Sequence, residues 1–410
     1  MIDINLIREQ PELVKKGIAS KKGDPEIIDR ILKVDETKRQ LIAEIEKWRQ
    51  ERNKLTREDI EQGKKIKEML KKLEPDLTAV EEELKGLLYQ LPNPPAPDVP
   101  NGKDESENVE LRRWGKIPEF DFPFKAHYEL GESLDIIDIK RAAKVSGSRF
   151  AYLKGEAVIL ELAMMRFAFD LLIKEGFIPV IPPVMISLDS MKGMGYIDQG
   201  MDESYVLEKD NLILVATSEQ SIGPMHKDEV LNEKDLPRRY AGFSTCFRRE
   251  AGSYGKDTKG NLRVHQFNKV EMFSFTKPED SDKEHEYLLS LEEKLMQALK
   301  LPYRVLKMCT GDLGGPAARK YDIEAWLPSE NAFRETHSTS TCTDFQARRL
   351  NIKFKRKSGG NEYVHMLNGT AFSERPILAI LENYQQKDGS VLIPEVLQKY
   401  TGFKKISPKV

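Results

Sequence analysis

The sequence predicts an α+β protein in which a mainly antiparallel sheet domain follows an N-terminal antiparallel α-helical coiled-coil arm. Three observations carry that prediction. Apolar residues recur at helical seam spacing in two early stripes, five prolines crowd positions 92–100, and the apolar runs beyond them mix helix and strand periods. The domains are placed at 1–91, a proline-rich linker at 92–104, and a second domain at 105–410.

The first stripe steps through Ile27, Ile31, Val34, Leu41, Ile45, Trp48 and Leu55 at alternating intervals of three and four, with Lys38 and Arg52 interrupting it. After a break at 58–63 the second runs through Ile66, Met69, Leu73, Leu77, Val80, Leu84, Leu87 and Leu91. Two such seams zip into an antiparallel hairpin. Each arm of ~30 residues would reach ~45 Å, too long to fold back on a compact domain, and so projects into solvent. Pro75 lacks a backbone donor, which predicts a kink or a break after Glu74. Residues 30–73 carry 14 Lys/Arg against 9 Asp/Glu, a net of +5 in a chain whose total is −2. A basic arm without an aromatic stacking platform suits recognition of a folded RNA by shape and backbone. Dense surface charge that merely keeps a coiled coil soluble fits the same residues.

The composition bounds the class. In 410 residues, 39% are hydrophobic and 32% charged, which fits a soluble protein with a long exposed helical element. There is no run of about 18 apolar residues, and Met1-Ile2-Asp3-Ile4-Asn5 lacks the basic start of a signal peptide, so a cytoplasmic, non-membrane protein is expected. Cys246, Cys309 and Cys342 are far apart, which points to free thiols and to neither a disulfide framework nor a zinc ribbon.

The chemistry concentrates in the second domain. The stretch from Thr245 to Gly252, returning through Val264 to Glu271, reads as a strand, loop, strand hairpin. Arg248 offers a planar fork to phosphate or carboxylate oxygens, Glu250 can accept from an exocyclic amine, and Phe267 can stack. The same residues also fit an exposed charge pair on a solvated strand. Upstream, the helical run 160–174 stops at Gly176 and leads to a proline-bearing strand, which belongs at a sheet edge or an interface. Leu214 to Gln220 ends an apolar strand with Thr217 and Glu219 two apart on one face, able to grip an ammonium together. A helix N-cap at Thr217 or Ser218 is the plainer reading. Residues 321–349 read as two strands and the start of a basic helix, with Glu335 and Ser338 on the second strand. Residues 365–385 read as a strand and turn feeding an apolar helix that begins near Arg375 and Pro376.

The hairpin resembles the nucleotide-binding motif of class II aminoacyl-tRNA synthetases, and the run FRREAGSYGKDTKGNLRVHQFNKVE is similar to that of seryl-tRNA synthetases in particular. The 365–385 element resembles the third motif of that class. The resemblance implies an enzyme that activates L-serine with MgATP and transfers the seryl group to the 3′ end of tRNA(Ser), and of tRNA(Sec) where present. It carries ATP contacts onto Arg248, Arg249, Glu250, Phe267, the run Glu335-Thr336-His337-Ser338 and Arg375. Serine contacts fall on Thr217, Ser218, Glu219, Arg248, Glu271, Asn368 and Thr370. Arg248, Arg375 and Glu335 become the catalytic set, and Glu335 with Ser338 holds Mg²⁺, which prefers one or two carboxylate oxygens and completes its shell with waters. The proline-strand unit implies a homodimer interface. Activation needs no general base, because the serine carboxylate is already ionised, so His265 and His337 are read as structural. A non-catalytic relative that binds tRNA, or an enzyme that loads a carrier protein, are the rival readings, separated by ATP/pyrophosphate exchange over a panel of amino acids.

Overall fold

The computed structural model describes residues 1–56, 58–197, 201–251 and 260–409; Gly252 of the hairpin lies outside them. The chain divides into two units, Met1–Pro94 and Pro95–Val410. The expected linker is shared between them. Asn93 accepts from Lys21 Nζ (2.9 Å) within the first unit, whereas Ala96 N–H donates to Ala318 O (2.8 Å) and Asp98 pairs with Arg319 (2.8 Å) within the second.

In the first unit, helices α1 (Ile4–Glu9) and α2 (Pro11–Ser20) precede the two long helices α3 (Ile27–Lys54) and α4 (Ile60–Gln90). The seams meet as expected, and cross-pairs Lys38–Glu81 (3.0 Å) and Arg49–Glu74 (2.9 Å) show the helices run antiparallel. The arm holds two separate apolar clusters. One, at the base, joins Ile28, Ile31, Leu84, Leu87 and Leu88 to Ile7, Val14 and Ile18 of the short helices; the other, toward the tip, gathers Ile45, Ile66, Leu70 and Leu73. Between them Asp35 is buried on α3, where the Arg8 guanidinium bonds it at 2.6 and 2.7 Å, with Arg39 at 3.2 Å, and its carboxyl is held below the usual range. No break occurs at Pro75. Helix α4 continues through it, because the seam on either side is buried against α3 and one lost backbone bond does not outweigh that packing.

The second unit is built on an eight-stranded sheet. Its elements in chain order are β1 (Val109–Trp114), α5 (Glu156–Lys174), β2 (Ile178–Val180), β3 (Arg238–Phe247), β4 (Gln266–Thr276), α6 (Ser281–Ala298), β5 (Tyr303–Lys307), β6 (Arg319–Leu327), β7 (Ala332–Thr341), β8 (His365–Ser373) and α7 (Arg375–Asn383). The sheet order is β1-β5-β6-β7-β8-β4-β3-β2. Every pairing is antiparallel except β2 with β3, and β2, carrying Pro179, lies at the edge. Helices α5, α6 and α7 cover one face through Leu160, Met164, Leu288, Leu295, Ile377 and Leu381; on the other, Tyr240, Phe273, Phe275 and Met366 pack in a second apolar cluster with Ile222 and Leu350, beside a polar stretch.

Three bulges interrupt the ladder, one at Leu111 of the edge strand β1 and two beside the cleft. In β7 Thr336 is the extra residue between the pairs Ile323↔His337 and Glu324↔Glu335; in β8 Ala371 is extra between Val270↔Phe372 and Glu271↔Thr370. The three cysteines are free thiols. Among the described residues no helix is long and apolar enough to cross a membrane.

Replacing Pro75 with Ala restores the backbone bond missing from α4, an increment on the order of 3 kcal/mol. Amide exchange around positions 71–79 of the full-length protein should therefore slow about 100-fold in P75A. Faster exchange would show that the proline is better accommodated than its chemistry allows.

Candidate active site

The polar part of the face opposite α5, α6 and α7 opens into a cleft of about 590 Å³, flanked by a space of about 550 Å³ and by a smaller pocket; Arg263, Glu335 and Arg375 border all three. Arg248 follows the last residue of β3, and its place is set by backbone pairing across the hairpin. Its N–H donates to His265 O (2.9 Å), and His265 Nδ1 bonds Arg248 O in return (2.9 Å), which makes His265 a structural clamp. The guanidinium lies 5.0 Å from the Phe267 ring centroid, and both line the smaller pocket. Glu250 occupies a left-handed turn (φ 53°) and pairs with Arg263.

Opposite, Glu335 projects from β7. In a regular strand a residue three positions on faces the other way, but the bulge at Thr336 restores the phase, so Glu335 and Ser338 line the same cleft. Arg375 Nη1 reaches Glu335 Oε2 (3.0 Å) and the Glu335 carbonyl (2.9 Å). Burial would raise the Glu335 carboxyl, yet Arg375, Lys320 and Arg248 outweigh it and hold it at about 2. It is therefore a permanent anion among cations. With the Ser338 hydroxyl it offers the hard oxygen donors that Mg²⁺ takes, and Glu324, the cross-strand partner of Glu335, adds a second carboxylate nearby.

At the other end of the cleft, Glu271 of β4 pairs with Lys269 and accepts from Thr370 Oγ1 (3.4 Å), its partner on β8; Asn368 lines the same space. Thr217 and Glu219 also line it, but not from a strand end: the local strand stops at Leu214 and Glu219 opens a short helix, whose N–H is accepted by Thr217 Oγ1 (3.4 Å). Glu219 is 4% exposed, and its Oε1 accepts from Tyr196 Oη (3.0 Å) and Gln346 Nε2 (3.2 Å). Burial, and then the charge of Glu271, push its carboxyl up to about 7.

Three expected contacts do not face the cleft. Ser218 is fully buried and its hydroxyl donates to Gly242 O (3.1 Å). His337 is buried, with Nε2–H on Ala371 O (2.9 Å) and Nδ1 2.8 Å from Thr336 Oγ1, and burial lowers it to about 4, so it is a neutral bridge between the two bulges beside the cleft. Arg249 is absent from the cavity walls, and its N–H binds Glu203 O (2.9 Å). Conversely, Arg263, Lys269, Lys320, Tyr196 and Gln346 were not anticipated. Lys269 was within reach, being two positions before Glu271 on the same face of a strand. Tyr196 and Gln346 converge from distant segments and give no local signal.

Comparison with known proteins bears on this arrangement directly. The family model "Seryl-tRNA synthetase N-terminal domain" matches residues 1–95, and "tRNA synthetase class II core domain (G, H, P, S and T)" matches 205–384. A serine–tRNA ligase of Dictyoglomus turgidum is 48% identical over 424 residues, covering 100% of both chains. The chain belongs to the seryl-tRNA synthetase family. Another relative of that family, from Pyrococcus horikoshii, is 46% identical over 100% of this chain and 98% of its own. Among solved seryl-tRNA synthetases, the P. horikoshii enzyme complexed with ATP superposes with a TM-score of 0.95 at 45% identity, covering 100% of each chain. A cytoplasmic serine–tRNA ligase of Naegleria fowleri in complex with AMP gives 0.91 at 34%, covering 100% of this chain and 99% of its own.

Glu219 also sets a pH signature. Its folded-state value is raised from 4.5 to about 7. The folded form therefore loses stability relative to the unfolded chain as pH rises from 4.5 to 7, with the full loss above 7. E219Q removes that loss. Its thermal midpoint should exceed that of the parent by a few degrees at pH 8 and converge with it near pH 5, as read by scanning calorimetry; a constant offset across pH would contradict the assignment.

Proposed function

We propose that the cleft carries out both steps of serine–tRNA ligation, the activity to which family membership assigns this chain: formation of seryl-adenylate and pyrophosphate from L-serine and MgATP, then transfer of the seryl group to the 3′-terminal ribose of tRNA(Ser), and of tRNA(Sec) where present. The observation that carries the reading is the convergence of Arg248, Glu335 and Arg375, from separate elements, on one cleft whose far end holds Glu219 and Glu271. Phe267 stacks on adenine while Glu250 accepts from its exocyclic amine. Arg248 and Arg375 grip the phosphates. Glu335 and Ser338 hold Mg²⁺, which when bound neutralises phosphate charge.

Glu219, Thr217 and Glu271 receive the serine ammonium, and Asn368 and Thr370 close around its hydroxyl. Those groups are at least nine-tenths buried, so a substrate lacking the hydroxyl leaves them unpaired, which disfavours alanine strongly. The serine carboxylate attacks the α-phosphorus without a base. Arg248 stabilises the charge that develops there, and positioning and electrostatics supply the rate.

The first unit is the tRNA-binding domain. In support, its basic residues stand exposed along both helices, among them Lys47, Arg52, Lys64 and Lys71. The second unit works as a homodimer. Helix α5 and the strands after it expose Leu162 (55%), Ile178 and Ile181 (82%), an apolar face suited to a second copy. The cytoplasm is the compartment proposed.

Two outcomes test the assignment. R248A should lose about 100-fold or more in ATP/pyrophosphate exchange with serine. Deleting residues 30–88 should abolish tRNA charging and leave that exchange largely intact; undiminished charging would remove the arm from tRNA recognition.

A further inference from the structure

At the ATP end of the cleft two carboxyl groups meet that the chemistry above does not use. Glu374 immediately precedes Arg375 and lines the smaller pocket with Arg248 and Phe267. Glu161 reaches it from α5, 7% exposed, and the two carboxyls converge on the same residue, Asn268. Asn268 of β4 ties both. Its backbone N–H donates to Glu374 Oε1 (3.3 Å) and its Nδ2 to Glu161 Oε1 (3.1 Å), while its Oδ1 accepts from Thr245 Oγ1 (2.9 Å), which fixes the amide orientation.

Two carboxylates brought together on one asparagine repel, and a single shared proton would relieve that repulsion. The chain around it is tight: Ser373 ends β8 and Arg375 begins α7, so Glu374 alone makes the turn, and Pro376 follows within the first helical turn. The direction in which Arg375 leaves the sheet is set by that residue.

We propose that Glu374 and Glu161 form a proton-sharing anchor that fixes the turn from which Arg375 reaches ATP, making Glu374 a positioning residue for the nucleotide. The inference rests on reading Arg375 as an ATP ligand. Burial and then Glu161 push Glu374 up to about 8, and burial also raises Glu161. The other charged groups around the cavity are Arg248, Arg263, Lys269, Glu250, Glu335 and Arg375. Loss of the shared proton sets two adjacent carboxylates against each other beneath the turn and shifts Arg375 away from the phosphates.

The test is ATP/pyrophosphate exchange by the full-length enzyme from pH 6.5 to 9, with KM measured separately for ATP and serine. E374A should raise KM for ATP about tenfold and leave KM for serine within about twofold, since the displaced group serves the nucleotide alone. E374Q should recover most of the loss, its carbonyl accepting from Asn268 and its amide donating to Glu161. In the parent enzyme KM for ATP should climb between pH 7 and 9, whereas E374Q and E161Q, which carry no shared proton, should stay flat. R375A separates the two layers. If R375A leaves KM for ATP unchanged, the ligand reading falls and the anchor with it. If R375A weakens ATP while E374A does not, the anchor alone is overturned. A climb that persists in E374Q, or an E374A defect equal for both substrates, overturns it too.

Discussion

The phase of the central sheet is the constraint on which the site depends. Side chains along a strand alternate between faces, and a ligand-binding surface needs its donors on one of them. The extra residues Thr336 and Ala371 each reset that alternation by one position, so that Glu335 and Ser338 face the cleft together and Glu271 meets Thr370 across the ladder. Both insertions leave backbone groups out of register. His337 fills that gap, bonding Ala371 O on one side and Thr336 on the other. A histidine two positions from the Glu335 carboxylate is thus structural, and its burial keeps it neutral as that task requires.

Charge in the cleft is arranged by neighbourhood. Glu335, partly open to the cleft, is surrounded by Arg375, Lys320 and Arg248 and stays ionised, whereas Glu219, buried and facing Glu271, is pushed the other way. The Glu335 end is therefore set with fixed ions. The Glu219 end holds a carboxyl whose ionisation a nearby cation would favour.

How much of this was legible in the chain depends on the range of the signal. The arm announced itself because coiled-coil spacing is local and repeats; Leu70, buried where Met69 was expected to lead, shows the seam drifting by one position. Helices α1 and α2 went unread, being only 6 and 10 residues long, too short for a periodic signature. Proline misled at position 75, where packing on both sides overrode it, and informed at 179, where an edge strand tolerates it. In the site, the hairpin residues Arg248, Glu250 and Phe267 could be found because they belong to one supersecondary unit. Thr217 and Glu219 were placed in the right space by the wrong geometry, a short helix in place of a strand end. The clasp of Tyr196 and Gln346 on Glu219 depends on tertiary convergence, which leaves no trace in spacing.

The split of the arm into two apolar clusters has a mechanical side. Around Asp35 and Lys38 the two apolar clusters are parted by charged groups: Asp35 pairs with Arg8 of α1 and Arg39 of its own helix, and the partly exposed Lys38–Glu81 pair crosses from α3 to α4. Ion pairs tolerate small changes of angle better than interdigitated side chains do. With less apolar packing than the clusters on either side, this charged waist is where bending of the arm should cost least.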